Sequence, residues 1–175
     1  DRGNFAEAAE LLGHIAAFKR KTLNEDDEDL GMALYNWAAT MQDGKDHAAA
    51  EPILREVLAI HDKHGRGDQP YVAATLNALG KCLDARKEFA SADEYFQKGL
   101  TMRRRLFPKP HRDLAYSLTE YGTALLVREN FAAAELLLRE SLDISRVVSP
   151  DNALEVGRAM SLHGACLRGL SRYAE

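Results

Sequence analysis

Cys82 and Cys166 are the only two thiols of this 175-residue sequence, and a thiol is a potential nucleophile. A catalytic cysteine requires a base within reach, and the sequence offers no convincing base beside either residue. Two cysteines in a chain of this length do not make a disulfide framework, which favours reducing surroundings. We therefore predict that both are small packing residues of a cytoplasmic protein.

Two groups of polar residues have types that could bind a metal ion. His61 and His64 lie three positions apart, but two ligands without a third make a weak site. The acidic run 25–29 lacks the spacing of an EF-hand calcium loop, and acidic residues also suit the start of a helix. We predict no metal site and no cofactor.

A basic cluster, formed by 103–105 with Lys109 and Arg112, could contact an acidic partner or nucleic-acid phosphates. The whole chain, however, has 23 basic residues against 27 acidic ones, for a net charge of −4. Because nucleic-acid-binding domains are usually basic, we do not expect a nucleic-acid partner. The sequence also lacks phosphate-loop, hydrolase and kinase motifs, so we predict that the protein is not an enzyme.

The elements that position these residues follow from a 42-residue period that runs through the chain without gaps. One column of this period holds the large residues Leu34, Leu76, Leu118 and Met160. Another holds the small residues Ala38, Gly80, Gly122 and Gly164. Columns of large and small residues at a fixed period are typical of stacked structural units.

Each unit is predicted to be a pair of helices, and the abundance of alanine and leucine over β-branched residues agrees. Apolar residues recur at helical spacing from Leu76 to Leu83, and the same spacing resumes from Phe89 to Leu100 after a turn. Gly80 is expected to let the two helices approach closely. The expected helices cover residues 4–22, 28–43, 46–64, 70–86, 88–106, 112–128, 130–147 and 153–169.

Two pairs of opposite charges have the i, i+4 spacing that brings side chains together on a helix surface. They are Glu51 with Arg55 and Glu135 with Arg139. We predict that both pairs face the solvent on the outer side of the second helix of a unit.

A known repeat family shares this pattern. The residues Leu76-x-x-Leu79-Gly80-x-x-Leu83, followed by Ala92 and Phe96, resemble the tetratricopeptide repeat, and the 42-residue period resembles its kinesin-light-chain type. The resemblance covers the whole chain and implies an all-α solenoid, a right-handed superhelix of antiparallel helix hairpins. It predicts one array, cut from a longer one, with a truncated repeat 1–26, repeats 27–68, 69–110 and 111–152, and a truncated repeat 153–175.

The resemblance also predicts a peptide-binding groove, because the first helices of such hairpins line the concave side of the superhelix. Asparagine side chains there would bind a peptide backbone, and basic side chains would bind a carboxylate. The predicted groove residues are Tyr35, Asn36, Asn77, Lys81, Tyr116, Thr119, Glu120, Thr123, Arg158 and Ser161.

The function implied is a non-catalytic scaffold or adaptor that binds a peptide segment or a partner domain in this groove. The alternative is a sensor or assembly arm of a larger regulatory protein that carries a separate NTPase or protease domain. No stretch of the sequence is apolar enough to span a membrane, so the expected partner is a protein or peptide and not a lipid bilayer. The oligomeric state is left open.

Overall fold

The computed structural model of the protein describes residues 2–22, 28–65 and 67–170, and all regular structure in these ranges is helical. Each helix begins and ends within two residues of its predicted limits, which confirms the all-α prediction. Within these described ranges, none of the helices is both long and apolar enough to cross a membrane. The helices are α1 (Arg2–Thr22), α2 (Glu28–Asp43), α3 (His47–His64), α4 (Pro70–Ala85), α5 (Phe89–Leu106), α6 (Arg112–Val127), α7 (Phe131–Val148) and α8 (Ala153–Gly169).

The chain forms two compact units, Asp1–Gly99 and Leu100–Glu175, and the boundary between them falls within α5. In the first unit α1 packs on α2, α2 on α3, and α3 on α4. In the second unit α6 packs on α7 and α7 on α8. The division of the chain into individual repeats remains a prediction.

The core of the first unit is built from apolar residues at helical spacing. Leu30 and Leu34 of α2 join Leu54 and Val57 of α3 in one buried cluster, which Leu79 of α4 completes. Residues three or four positions apart share one face of a helix, so each helix presents a continuous apolar stripe to its neighbour. Burial of these stripes stabilises helices whose surface positions are largely polar.

The core of the second unit follows the same rule. Leu114 and Leu118 of α6 pack with Ile144 of α7 and with Leu100, which belongs to the last two turns of α5. Cys166 of α8 is also buried. The same apolar columns therefore form the interior of both units.

The column of small residues sets how closely the helices of a hairpin approach. A Cβ atom placed on Gly80 would lie 2.9 Å from Cγ of Phe96, and one placed on Gly122 would lie 2.6 Å from Cγ of Leu138. Both distances are too short for two carbon atoms in contact. The expectation that Gly80 allows close approach is confirmed, and Gly122 has the same role in the next hairpin.

Three hairpin turns end their first helix in the same way, 42 residues apart. Lys45, Lys87 and Glu129 adopt left-handed backbone conformations, with φ of 68°, 64° and 61°. In the second turn the Lys87 N–H donates to the Asp84 carbonyl and the Glu88 N–H donates to the Leu83 carbonyl, each at 2.9 Å. This Schellman motif usually has glycine at the left-handed position. In the first turn the glycine, Gly44, occupies the preceding position.

Lys87→Gly is expected to stabilise the protein by about 0.5–1 kcal/mol, because glycine adopts the left-handed region without the steric cost that a Cβ atom brings. Urea denaturation followed by circular dichroism would measure the change. Lys98→Gly, on the exposed surface of α5, is the matched control and should destabilise by about 1 kcal/mol. Destabilisation by both substitutions would contradict the expectation.

Candidate functional site

An open cleft of about 450 Å³ lies in the second unit between α6 and α8. It brings together Tyr116, Thr119 and Arg158, three of the predicted groove residues. Ala115 and Ala159 supply small apolar surface beside them. The rest of the lining consists of Arg112, Ser145, Asn152, Leu154 and Glu155.

Two arginines extend over the rim of this cleft. Arg112 pairs with Glu155 at 3.3 Å, and Arg158 pairs with Glu120 at 3.6 Å. The arginine side chains are 70% and 61% exposed. Their glutamate partners are only 22% and 12% exposed, so each pair joins a guanidinium that reaches solvent to a largely covered carboxylate.

Tyr116 and Leu154 are the large apolar groups of the cleft, and they are 52% and 85% exposed. Thr119, by contrast, makes its contacts inside the hairpin. Its hydroxyl lies 2.6 Å from the hydroxyl of Ser141, which also donates to the Ala115 carbonyl at 2.9 Å. Thr123 donates to the Thr119 carbonyl at 2.7 Å. Tyr116, Leu154 and the two arginines are therefore exposed groups that the cleft presents to a ligand.

The predicted groove residues differ widely in exposure. Asn77 of α4 is only 4% exposed, so the expectation that it faces solvent is wrong. The helix α5 packs closely beside it, since a Cβ placed on Gly99 would lie 3.3 Å from the backbone nitrogen of Asn77. The others are exposed at Asn36, Tyr116, Arg158 and Ser161 and half-buried at Tyr35, Lys81, Thr119, Glu120 and Thr123.

Seven lining residues were missing from the predicted groove: Arg112, Ala115, Ser145, Asn152, Leu154, Glu155 and Ala159. Two of them could have been found from the period, because Arg112 and Leu154 lie 42 positions apart, one helical turn before Tyr116 and Arg158. The cleft therefore lies between equivalent positions near the starts of α6 and α8. Asn152 precedes α8 and caps it, since its side chain accepts a hydrogen bond from the Glu155 N–H.

Residues 29–105 match the family model of the tetratricopeptide repeat. This segment is a tetratricopeptide repeat region. A search of curated proteins gave no match. The predicted resemblance to this family is confirmed.

Two solved structures show how far the fold of this chain is shared. TPR-like repeats assigned to a kinesin light chain of Podosopora anserina superpose with a TM-score of 0.77 at 19% identity, covering 98% of this chain and 82% of that one. BtubC (BKLC) from P. vanneervenii gives 0.85 at 18% identity, covering 98% and 68%. At these identities the likeness concerns the fold, and it confirms the predicted α-solenoid.

The acidic residues of the two predicted i, i+4 pairs are not solvent-facing, which corrects the expectation from the sequence. Glu51 is buried and accepts hydrogen bonds from Arg55 and Arg86, each at 2.8 Å. Glu135 is also buried, 3.2 Å from His163 and 3.4 Å from Arg139. In each case a third residue from outside the helix helps to enclose the carboxylate.

The surroundings of Glu51 lower the pKa of its carboxyl group. Burial alone would raise the pKa of this carboxyl, but the hydrogen bonds and charges of Arg55 and Arg86 outweigh burial and hold its pKa below the usual value. Because the pKa of Glu51 is lower in the folded than in the unfolded protein, its carboxylate stabilises the folded state at pH values above the unfolded-state pKa. That stability is lost as the pH falls through the folded value.

Glu51→Gln is expected to destabilise the protein by about 1–3 kcal/mol at pH 7, the usual worth of hydrogen bonds to a charged group. The deficit should shrink as the pH falls below about 4, because the wild-type carboxyl then also loses its charge. Urea denaturation at a series of pH values would measure both. Glu94→Gln, at an exposed position of α5, is the control, and a pH-independent deficit at Glu51 would contradict the prediction.

The buried thiols support the packing role predicted for them. The side-chain amide of Gln42 donates to the Ala78 carbonyl at 2.7 Å and to Sγ of Cys82 at 2.9 Å. Burial raises the pKa of the Cys82 and Cys166 thiols, which disfavours the nucleophilic thiolate.

The basic cluster predicted from the sequence is dispersed into separate ion pairs. Arg103 is buried and binds Asp113, Arg104 binds Glu140, and Arg112 binds Glu155. His111 caps α6 by accepting a hydrogen bond from the Asp113 N–H, and its ring stacks on Phe107 at 3.7 Å. These residues stabilise the connection between α5 and α6 instead of forming one basic surface.

The remaining metal-site candidates fall partly outside the described residues. His61 is buried, whereas the side chain of His64 and most of the acidic run 25–29 lie outside the part of the chain that the structure describes. Among the described residues, no three histidine, cysteine or acidic side chains are grouped as metal ligands.

Proposed function

We propose that this tetratricopeptide repeat protein is a non-catalytic scaffold that binds a peptide segment of a partner protein in the cleft between α6 and α8. The observation that carries the proposal is the convergence of Tyr116, Arg112 and Arg158 on one open cleft. Tetratricopeptide repeats generally mediate protein–protein interactions and are typically not catalytic. Peptide binding by Tyr35, Asn36 and Lys81 of the first unit remains a separate prediction.

The dimensions and chemistry of the cleft favour a short segment over a whole domain. A volume of about 450 Å³ is within the range of sites that enclose a small ligand, so it would hold one or two side chains of a peptide. Tyr116 offers an apolar ring with a polar tip, and the arginines offer planar donor groups that match a carboxylate. An extended segment with an acidic side chain or a free carboxyl terminus fits these groups.

A phage-displayed library of random peptides provides a defined probe for this site. Peptides selected on the wild-type protein should lose at least tenfold in affinity for the variant Tyr116→Ala/Arg158→Ser, measured by fluorescence anisotropy. The matched control Leu136→Ala/Arg146→Ser removes an exposed apolar and an exposed basic side chain from α7 and should bind normally. Equal binding to all three proteins would overturn the proposal, provided that circular dichroism shows the same helicity.

A further inference from the structure

We propose that the cleft between α6 and α8 binds an arginine side chain of the partner peptide, whose guanidinium pairs with the carboxylate of Glu155. The proposal rests on the peptide-binding function proposed above and names the group that the cleft selects. It follows from a difference between equivalent positions of the repeat. The other odd-numbered helices carry their own basic side chain where α7 has Ser145.

This difference lies in a column of the 42-residue period that falls three residues before the end of each odd-numbered helix. The members of the column are Lys19 of α1, His61 of α3, Arg103 of α5 and Ser145 of α7. The first three residues are basic and have the long or ring-shaped side chains of that class. Serine is short and uncharged, so α7 lacks the group that the other three helices share.

Each basic side chain of this column contacts the first turn of the next helix. Lys19 pairs with Asp29 of α2 at 3.6 Å. The ring of His61 meets the ring of Tyr71 of α4 edge-on, with 6.3 Å between the ring centres. The column therefore joins the end of one helix to the start of the next.

Arg103 makes the tightest of these contacts. Its side chain is 6% exposed, and its guanidinium binds the carboxylate of Asp113 in the first turn of α6. The ring of Phe107 lies 5.9 Å from the same guanidinium. The arginine thus occupies the interior between the end of α5 and the start of α6 and neutralises the carboxylate there.

Glu155 is the acidic residue that follows α7 at the position of Asp113, and it lies in the first turn of α8. Its counterpart Ser145 is 2% exposed and supplies no positive charge. Both residues line the cleft. The open volume is therefore bounded by the two positions that hold an arginine and its carboxylate partner one period earlier.

The carboxylate of Glu155 can accept further hydrogen bonds. Asn152 donates to Oε2 at 3.2 Å, and the guanidinium of Arg112 lies 3.3 Å from the same oxygen. Within the part of the chain that the structure describes, no group donates a hydrogen bond to Oε1. Because an ionised carboxylate accepts through both oxygens and a guanidinium has several donors in one plane, an arginine can bind at Oε1 while Arg112 keeps its place.

The other groups of the cleft suit the rest of an arginine side chain. Leu154 and Tyr116 offer exposed apolar surface to its methylene groups, and the face of the tyrosine ring attracts a cation. Arg112 and Arg158 oppose a further positive charge, but both are mostly exposed and therefore screened by solvent. Since these two arginines also match a carboxylate, a peptide with an arginine beside an acidic group complements the whole cleft.

A small probe tests the arginine subsite without a peptide. N-acetyl-arginine amide at millimolar concentrations should shift the backbone amide signals of Ser145 and Glu155 in NMR spectra. N-acetyl-citrulline amide has nearly the same shape without the charge and should shift them far less. Glu155→Gln should remove this difference, whereas the control Glu140→Gln, which removes an acidic partner of Arg104 on α7, should behave like the wild type. No shift, or equal shifts with both probes, would overturn the proposal.

Ser145→Arg restores the basic side chain that α5 has at this position. Its guanidinium should bind Glu155 from within the protein, so N-acetyl-arginine amide should no longer shift the signals although circular dichroism shows the same helicity. Undiminished binding of the probe to the folded variant would overturn the proposal. Glu155→Gln preserves the size of the side chain and an acceptor oxygen for Asn152, so it tests the subsite even where the added arginine disturbs folding.

The phage-selected peptides separate this proposal from the peptide-binding function. Peptides that depend on Tyr116 and Arg158 should contain an arginine whose replacement by citrulline lowers the affinity about tenfold or more, as expected for a close charge pair. On Glu155→Gln the same replacement should change the affinity little, because the partner charge is absent. An equal loss on both proteins, or no loss on the wild type, would overturn the arginine subsite and leave the peptide-binding function standing. Peptides that bind independently of Tyr116 and Arg158 would contradict the peptide-binding function, and the titration with the small probe then decides the arginine subsite.

Discussion

Gly80→Val is expected to lower the free energy of unfolding by about 2–3 kcal/mol, the usual cost of forcing extra carbon atoms into a packed interior. A Cβ atom at this position would lie 2.9 Å from the ring of Phe96, which is itself buried and has no room to retreat. The higher helix propensity of a residue other than glycine would return at most about 1 kcal/mol, so overpacking dominates. Urea denaturation would measure the loss.

A second substitution tests whether the contact with Phe96 is the cause. The preceding repeat has Ala38 and Leu54 in the two columns that hold Gly80 and Phe96. The double variant Gly80→Ala/Phe96→Leu recreates that pair and should be more stable than the sum of its single variants by about 1 kcal/mol or more. Strictly additive effects would show that the clash does not set the cost of the change at Gly80.

Arg103→Glu is expected to destabilise the protein by about 3–5 kcal/mol, the cost of leaving an uncompensated charge in the interior. Arg103 is buried, it binds Asp113, and its guanidinium lies 5.9 Å from the centre of the Phe107 ring. A glutamate there would be buried beside a second carboxylate. Thermal and urea denaturation would measure the loss of stability.

The neighbouring residue is the matched control for this change. Arg104 has the same type and an ion pair with Glu140, but both side chains are well exposed to solvent. Arg104→Glu should therefore cost less than about 1 kcal/mol. Similar losses for the two substitutions would contradict the assignment of Arg103 to the interior.

The helix limits could be predicted closely because the 42-residue period repeats the same residue pattern in several units. A helix limit that is ambiguous in one unit is supported by the equivalent residues of the others. The turns were harder to predict, since the left-handed residues are Lys45, Lys87 and Glu129, and neither lysine nor glutamate indicates that conformation. Only the backbone hydrogen bonds reveal that these turns share a Schellman geometry.

Burial of polar residues was the main error, and it has one physical origin. Helical spacing tells which residues share a face, but it does not tell how closely the next helix approaches that face. The backbone of the buried Asn77 lies beside Gly99 of α5, and the buried Glu51 accepts a hydrogen bond from Arg86, which follows the end of α4. Both contacts involve residues more than twenty positions away, which an i, i+4 rule does not consider.

The candidate site was predictable to the extent that it follows the repeat. Tyr116 and Arg158 share a column that is exposed in both helices, and both line the cleft. Asn152 lies in the connection before α8, where the sequence departs from the repeat pattern, so no column indicates it. Exposed ion pairs such as Arg112 with Glu155 depend on side-chain conformation and not on the period.

Within each unit, helices pack on helices that are near in the chain. This locality also affects how fast each unit folds. In both units the contacts join helices that are adjacent or next-but-one along the chain, so few long loops must close before contacts form. Topologies dominated by such local contacts fold in microseconds to milliseconds. Amide hydrogen exchange should follow the same logic, with α1, on which Leu11, Ile15 and Phe18 are exposed, losing protection before the enclosed helices α2 and α3.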